Sequence, residues 1–173
     1  MSIQPSAAGE NFYDTIAGNS FLVAEFRKPE FQVEVETGAG SYAAGDSIEV
    51  KATASYFFGG GVENAQVEWS VMGSPAKFRA EGYEDYSFSD YDYWQTTPRQ
   101  DPIRATGTAI TGPDGTVTFR IPATLRTGEG VQQFTISASV TDQSGQAVAA
   151  STSVMIHPAA LYAGIRHEDY VAE

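Results

Sequence analysis

The amino-acid sequence predicts an all-β protein, an antiparallel sandwich of two sheets with about seven strands. Apolar and polar residues alternate along most of the chain from residue 31 to residue 156, which is the period of strands with one buried face. Turn-forming residues, including 17 Gly and 8 Pro, separate these runs at the spacing of a sandwich. No segment before the C-terminus repeats the i, i+3, i+4, i+7 pattern of a helix for more than two turns, so helices are not expected.

Each strand is predicted from the apolar residues that share one of its faces. The first strand runs from Phe31 to Val35, and after a turn at residues 38–46 the longest clean alternation runs from Ile48 to Tyr56. Tyr56 and Trp69 continue apolar faces and are assigned to the core. The remaining strands are predicted around Val67 to Val71, Ala105 to Thr111, Val117 to Ile121, Phe134 to Val140, and Val148 to Ile156.

Three turns are predicted to close antiparallel hairpins. Gly59-Gly60-Gly61 follows the strand that ends at Tyr56, and glycine supplies the positive φ angles of a tight connection. Gly112-Pro113-Asp114-Gly115 contains Asp-Gly, a strong reversal signal. Gln143-Ser144-Gly145 separates the last two strands. We therefore expect each turn to pair the two strands that it joins.

Composition excludes several classes of protein. At 173 residues the chain is long enough to bury one sizeable core without stabilisation by disulfide bonds or metal ions. Its net charge of −12 opposes binding to nucleic acid, because no basic surface is available to neutralise phosphates. The absence of cysteine excludes disulfides, thiolate metal sites and cysteine nucleophiles. No window approaches the roughly 18 apolar residues that a membrane-spanning segment needs, and the N-terminus lacks signal-peptide features, so we expect any targeting segment to lie outside this sequence.

No catalytic, cofactor-binding or metal-ligating residue is predicted, and we expect no enzymatic activity. His157 adjoins a proline at a strand end and His167 lies near the C-terminus, so neither belongs to a nucleophile, base and acid constellation. Gly-x-Ser-x-Gly and His-Glu-x-x-His are both absent. The glycines at 59–61 precede a strand rather than a helix, so they offer no helix N-terminus to an anion.

Residues 81–94 form the most unusual local composition, with interleaved aromatic and acidic side chains. They suit an insertion that is inert or packs between domains, a partner surface, or a site for Ca²⁺ or a sugar. Their spacing does not match the Asp-x-Asp-x-Asp-Gly calcium loop. The alternative function is thus a ligand-recognition module, such as a carbohydrate- or calcium-binding domain of a cell-surface adhesin, that uses Asp85, Asp90, Tyr91, Asp92, Tyr93 and Trp94.

One arrangement of strand, proline and strand occurs twice. The first copy contains Phe21 to Phe26 and Pro29, the second contains Pro158 and Leu161 to Ile165, and the prolines lie 129 residues apart (158 − 29). That separation is about one domain length. We therefore predict a complete domain at 29–157. Residues 1–28 would be a tail, the last strand of a preceding domain and a linker, and 158–173 a linker and the first strand of a following domain.

Strands cut from their own domains lack native partners. We accordingly expect Phe21 to Phe26 and Leu161 to Ile165 to be disordered, or to pair with an open sheet edge.

These residues carry a family resemblance. The run from Phe21 to Val35 resembles the junction between the second and third macroglobulin-like domains of α2-macroglobulins and complement thioester proteins, where a proline link joins two strands. The order of later features is similar as well: Tyr42, Gly45-Asp46, the Ile48 to Tyr56 strand, the glycines at 59–61, Val62, Ala65, Val67 and Trp69. The insertion at 83–94, followed by Gly107-Thr108, Asp114-Gly115 and Ile121-Pro122, resembles the bacterial branch.

The resemblance implies a seven-stranded antiparallel fibronectin- or immunoglobulin-like sandwich, a macroglobulin-like domain. It implies a structural scaffold module of a broad-spectrum protease inhibitor in the bacterial periplasm or cell envelope, with a membrane-anchored parent. The family's bait region and Cys-x-x-Gln thioester lie in other domains. The expected partners are neighbouring macroglobulin-like domains and, through the parent, target proteases. The residues predicted to form the interdomain surface are Phe21, Phe26, Pro29, Tyr91, Tyr93, Trp94, Pro158 and Tyr162.

Overall fold

The structure, a computed structural model, describes residues 29–88 and 102–166, and these residues form strands, turns and loops without a helix. None of them therefore provides a helix long and apolar enough to cross a membrane. The strands are β1 (Phe31–Thr37), β2 (Ser41–Ala43), β3 (Ser47–Tyr56), β4 (Gln66–Pro75), β5 (Ile103–Ile110), β6 (Thr116–Pro122), β7 (Gln132–Thr141) and β8 (Ala147–His157).

Two sheets make up the described part of the chain, in the orders β1-β3-β6 and β2-β8-β7-β4-β5. All neighbouring strands are antiparallel except β2 and β8, which are parallel. The all-β sandwich is therefore confirmed, with eight strands instead of seven. The additional strand is β2, which lies within the predicted turn at 38–46 and pairs Tyr42 with Ile156.

Alternating apolar side chains fill the space between the sheets. Ile48, Val50, Val71 and Ile136 are fully buried, as the period of the sequence predicts. The core assignment of Tyr56 and Trp69 is confirmed: both are partly buried and pack against the core. The indole of Trp69 stacks on Phe119 of the opposite sheet with ring centroids 4.7 Å apart.

Only one of the three predicted hairpins forms. β7 and β8 pair across the turn at 143–145, so that prediction is confirmed. The other two are wrong, because β3 pairs with β1 and β6 while β4 pairs with β5 and β7. The turns at 59–61 and 112–115 therefore carry the chain from one sheet to the other.

The two crossovers pack on each other through glycine. A Cβ atom at Gly115 would lie 2.2 Å from the carbonyl oxygen of Ala54, and one at Gly61 would lie 2.2 Å from the carbonyl carbon of Asp114. Gly115 also has a φ of 74°, which strains other residues. These glycines are needed for a close contact between backbones, and the sequence does not distinguish that need from a hairpin turn.

Thr111 braces the same two crossovers from the inside. Only 3% of its surface is exposed. Its hydroxyl donates to the Val62 carbonyl at 2.6 Å and accepts from the Ala65 amide at 2.9 Å, while its own amide donates to the Ala65 carbonyl at 3.0 Å. One buried threonine thus satisfies polar backbone groups that the crossing chain would otherwise leave without partners.

The chain enters and leaves the sandwich at opposite ends. Phe31 pairs with Tyr56 at the end of β3, and the Glu30 amide donates to the side chain of Gln146 in the β7–β8 turn. We call this end, with the turns at 57–65, 111–115 and 142–146, the amino end. β8 runs away from it and finishes at His157, so we call the far end the carboxyl end.

Candidate interdomain surfaces at the two ends of the sandwich

At the amino end, the residue that follows Pro29 is held by the body of the sandwich. The Glu30 amide donates to Gln146 Oε1 at 3.1 Å, and the Glu30 carbonyl accepts from the Phe57 amide at 3.0 Å. Pro29 itself is exposed, and its ring restricts φ. The backbone at Glu30 is therefore held against the body of the sandwich.

The turn that follows β3 presents two exposed phenylalanines at the amino end. We call residues 56–60 the diphenylalanine turn. Phe57 is 64% exposed and Phe58 is 78% exposed. Phe58 stacks on Tyr56 with ring centroids 4.9 Å apart, and the Tyr56 amide donates to the Gly60 carbonyl at 3.0 Å. Sequence reasoning missed this pair, although two adjacent phenylalanines in a predicted turn are an available signal, since turns lie on the surface.

At the carboxyl end, aromatic side chains hold the outgoing chain against the domain. The rings of Phe78 and Tyr162 stack with centroids 4.0 Å apart and planes 12° apart. His157 Nδ1 and the Tyr162 hydroxyl are 2.7 Å apart, and His157 meets Phe78 edge to face at 5.6 Å. Burial raises the pKa of the Tyr162 hydroxyl above its ordinary value. We call this arrangement of Phe78, His157 and Tyr162 the clasp.

A short backbone contact extends the clasp. The amides and carbonyls of Ser87 and Ile165 exchange two hydrogen bonds, of 2.8 and 3.0 Å, in an isolated antiparallel bridge. Gly164 lies so close to Phe88 that a Cβ would come within 2.6 Å of its ring. Residues 161–165 were expected to be disordered or to pair with an open sheet edge. Ile165 pairs instead with Ser87 of its own chain.

The other predicted surface residues are placed less completely. Pro158 is exposed at the end of β8, immediately before the clasp closes at Tyr162. Phe21, Phe26, Tyr91, Tyr93 and Trp94 lie outside the described residues, as do Asp90 and Asp92 of the alternative ligand site. Asp85 is described and exposed, and it lines a hollow of about 470 Å³ formed by residues 77–80 and 83–88.

Carboxylates in the described part of the 81–94 segment do not converge. Within residues 29–88 and 102–166 no group of three or more His, Cys, Asp or Glu side chains is placed to hold a metal ion. Glu84 is turned toward its own backbone, accepting from the Gly82 amide at 2.9 Å. That hydrogen bond lowers the pKa of Glu84. Because Asp90 and Asp92 lie outside the described residues, the alternative ligand site stays a prediction.

A buried ion pair near the carboxyl end was not predicted. Arg104 donates to both carboxylate oxygens of Glu129, at 2.9 and 2.6 Å. The largest single influence on the pKa of Glu129 is burial, which alone would raise it. Hydrogen bonds from Arg104 and the Arg126 amide, with the charges of both arginines, outweigh burial and hold that pKa below its ordinary value. The partners are 25 residues apart in the chain, and no local pattern connects them.

These features define the class of protein: an immunoglobulin-like β-sandwich domain. The family model "Bacterial Alpha-2-macroglobulin MG5 domain" matches residues 30–158. The chain therefore belongs to the bacterial alpha-2-macroglobulin family, as the sequence resemblance indicates. The numbering of the domain differs, because the matching model describes MG5 whereas the resemblance was to the third domain.

Curated relatives are much longer than the part that matches. A homologue from Nostoc sp. is 34% identical over 51% of this chain and 4% of its own length. The alpha-2-macroglobulin of Thermotoga maritima is 29% identical over 79% of this chain and 7% of its own length.

Solved structures agree on the fold. Native E. coli alpha-2-macroglobulin superposes with a TM-score of 0.64 at 12% identity, over 84% of this chain and 9% of that one. Salmonella alpha-2-macroglobulin reacted with methylamine gives a TM-score of 0.65 at 13% identity, over 83% and 9%.

Proposed function

We propose that this domain is a spacer that holds its neighbours at set angles within a bacterial alpha-2-macroglobulin-like inhibitor that traps proteases. The observation that carries the proposal is the placement of the two links. The incoming chain is hydrogen-bonded to the amino end through Glu30, and the outgoing chain is clasped at the carboxyl end through Tyr162. A domain whose links are bound at opposite ends transmits orientation from one neighbour to the next.

The outgoing link supports this role because it is a short closed loop. His157 belongs to β8 and contacts Tyr162 by a hydrogen bond of 2.7 Å, so only residues 158–161 lie between the two anchored positions. Pro158 restricts one of the remaining backbone torsions. Ser87 then holds Ile165 by two further hydrogen bonds. Few freely rotating bonds are left between the sandwich and residue 165.

The activity and partners of the parent belong to the proposal and rest on the family. Two solved relatives from E. coli are described as activated by trypsin and by porcine elastase, so proteases act on those proteins. We infer the same for the parent of this chain, with an anchored location in the periplasm or cell envelope. Cell fractionation of the parent tests the location independently of the spacer role.

The test uses the parent protein with a lengthened outgoing link. Four Gly/Ser residues inserted after Pro158 would leave the sandwich intact and uncouple the clasp from the strand end. Protease capture is measured as protection of a large protein substrate, compared with cleavage of a small peptide that reaches an enclosed enzyme. Replacing Ala159-Ala160 by Gly-Ser is the matched control, because it changes composition without changing length.

We expect the insertion to abolish most of the protection and the control to retain it. Unchanged protection with the insertion would contradict the spacer role. The alternative recognition role has its own signature: Ca²⁺ in excess would raise the melting temperature, because a ligand bound only by the native state stabilises it. Under the spacer proposal the melting temperature of the isolated domain does not respond to Ca²⁺.

A further inference from the structure

We propose that the diphenylalanine turn docks into an apolar hollow on the domain immediately N-terminal to this one in the parent chain. This inference rests on the proposed spacer function and names the surface that sets one of the two angles. Phe57 and Phe58 are among the most exposed large apolar side chains of the described residues. Adjacent exposed aromatics of this kind are typical anchors at interfaces.

The turn holds the Phe58 ring against the rest of the domain. Phe58 is stacked on Tyr56, and Tyr56 meets the buried Phe31 edge to face at 6.2 Å. Hydrogen bonds from the Tyr56 amide to the Gly60 carbonyl and from the Gly59 amide to the Tyr56 carbonyl close the turn. Because the turn is already ordered, little side-chain and loop entropy remains to be lost on binding.

The direction of the chain identifies the occupant. The Phe57 amide is hydrogen-bonded to the Glu30 carbonyl, so Pro29 and Glu30, the first described residues, lie beside the two phenylalanines. The matching family model describes MG5, a number which implies that macroglobulin-like domains precede it in such proteins. A preceding domain tethered by a short link is held at high effective concentration next to this turn.

Charge at the amino end indicates the chemistry of the partner surface. The turns at 57–65, 111–115 and 142–146 carry Glu63, Asp114 and Asp142 and no lysine or arginine, and Glu30 adds a fourth carboxylate beside them. An acidic end of the domain that exposes an aromatic pair fits an apolar hollow bordered by basic or amide side chains. The preceding domain is therefore expected to present such a hollow next to its last strand.

The experiment compares two fragments of the parent: this chain alone, and this chain with the complete preceding domain. Each is prepared as wild type, with Phe57→Ser and Phe58→Ser combined, and with Leu161→Ser as the control. Leu161 is 88% exposed at the carboxyl end, so it is an apolar residue of similar exposure away from the proposed contact. Small-angle scattering reports the angle between domains, and the rate of trypsin cleavage after Arg27 reports access to the link.

We expect the scattering of the Phe57/Phe58 variant of the two-domain fragment to require a broad range of interdomain angles. We also expect trypsin to cleave this variant several-fold faster after Arg27. The Leu161 variant should match wild type, and all three single-domain proteins should remain folded with one cooperative melting transition. A defined angle that persists in the Phe57/Phe58 variant overturns the docking inference alone. A wild-type two-domain fragment without any defined angle contradicts the spacer function itself.

The remaining occupant to be distinguished is a second copy of this chain. Concentration-dependent dimerisation of the single-domain fragment that is abolished by the Phe57/Phe58 substitution would assign the turn to self-association and overturn the inference.

Discussion

Replacing Thr111 by valine tests whether the buried hydroxyl braces the two crossovers. Valine keeps the shape and the β-branch of threonine, so no cavity forms. The hydroxyl bonds of 2.6 Å to the Val62 carbonyl and 2.9 Å from the Ala65 amide are lost. A buried polar group without a partner costs about 1–3 kcal/mol. With two such groups, we expect the free energy of unfolding to fall by about 3 kcal/mol, which lowers Tm by roughly 6–12 °C for a domain of this size.

Urea denaturation and thermal melting, both followed by circular dichroism, measure the effect. Thr108→Val is the matched control, since Thr108 is exposed on the neighbouring β5 and surface changes usually alter stability by less than about 0.5 kcal/mol. Thr111→Ser keeps the hydroxyl and should restore most of the loss. A Thr111→Val protein that melts within about 2 °C of wild type, or no lower than the Thr108→Val control, would refute the bracing role.

Three further predictions concern the crossover, the buried ion pair and the clasp. Gly115→Ala should destabilise the domain more than Gly145→Ala in urea, because both have positive φ but only Gly115 lies against backbone. The lowered pKa of Glu129 contributes stability that is present above the ordinary glutamate pKa and lost as pH falls through the lowered value. Glu129→Gln should therefore flatten the acid side of a plot of Tm against pH, whereas Glu68→Gln should not. Tyr162 has a raised pKa, so the clasp should hold below the ordinary tyrosine pKa of about 10 and open as pH rises through the raised value; an NMR titration in which Tyr162 ionises with the exposed tyrosines would contradict this.

Alternation was sufficient to predict the core, because a buried strand face requires apolar residues at every second position whichever strand lies beside it. The same pattern does not specify the neighbour. Gly59-Gly60-Gly61 and Asp114-Gly115 have hairpin chemistry, yet both turns cross between the sheets. The turns cross between the sheets because Gly61 and Gly115 must come into contact. These positions are more than fifty residues apart, so no local pattern in the sequence indicates the contact.

The ends of the sandwich were harder to predict for the same reason. The repeated proline arrangement predicts Tyr162 as part of an interdomain surface, but it does not predict the contact of Tyr162 with Phe78. The two rings stack because of the path of the loop that contains Phe78, and the apolar residues of that loop follow no regular spacing. The Arg104–Glu129 pair likewise joins a strand residue of β5 to a loop residue through charge, and a lone arginine in a strand is usually exposed. Periodicity therefore predicts the middle of this domain, and long-range polar and aromatic contacts determine its ends.

The two links belong to different sheets, so packing between the sheets affects the proposed spacer role. The incoming chain continues into β1 of the three-stranded sheet, and the outgoing chain leaves from β8 of the five-stranded sheet. The angle between the links therefore depends on how the sheets pack, and close-packed interiors transmit small changes in volume. The stacked pair Trp69 and Phe119 spans the two sheets. We expect a change in the volume of this pair to alter the angle between the two links, so the core that stabilises the fold would also determine the geometry of the proposed spacer.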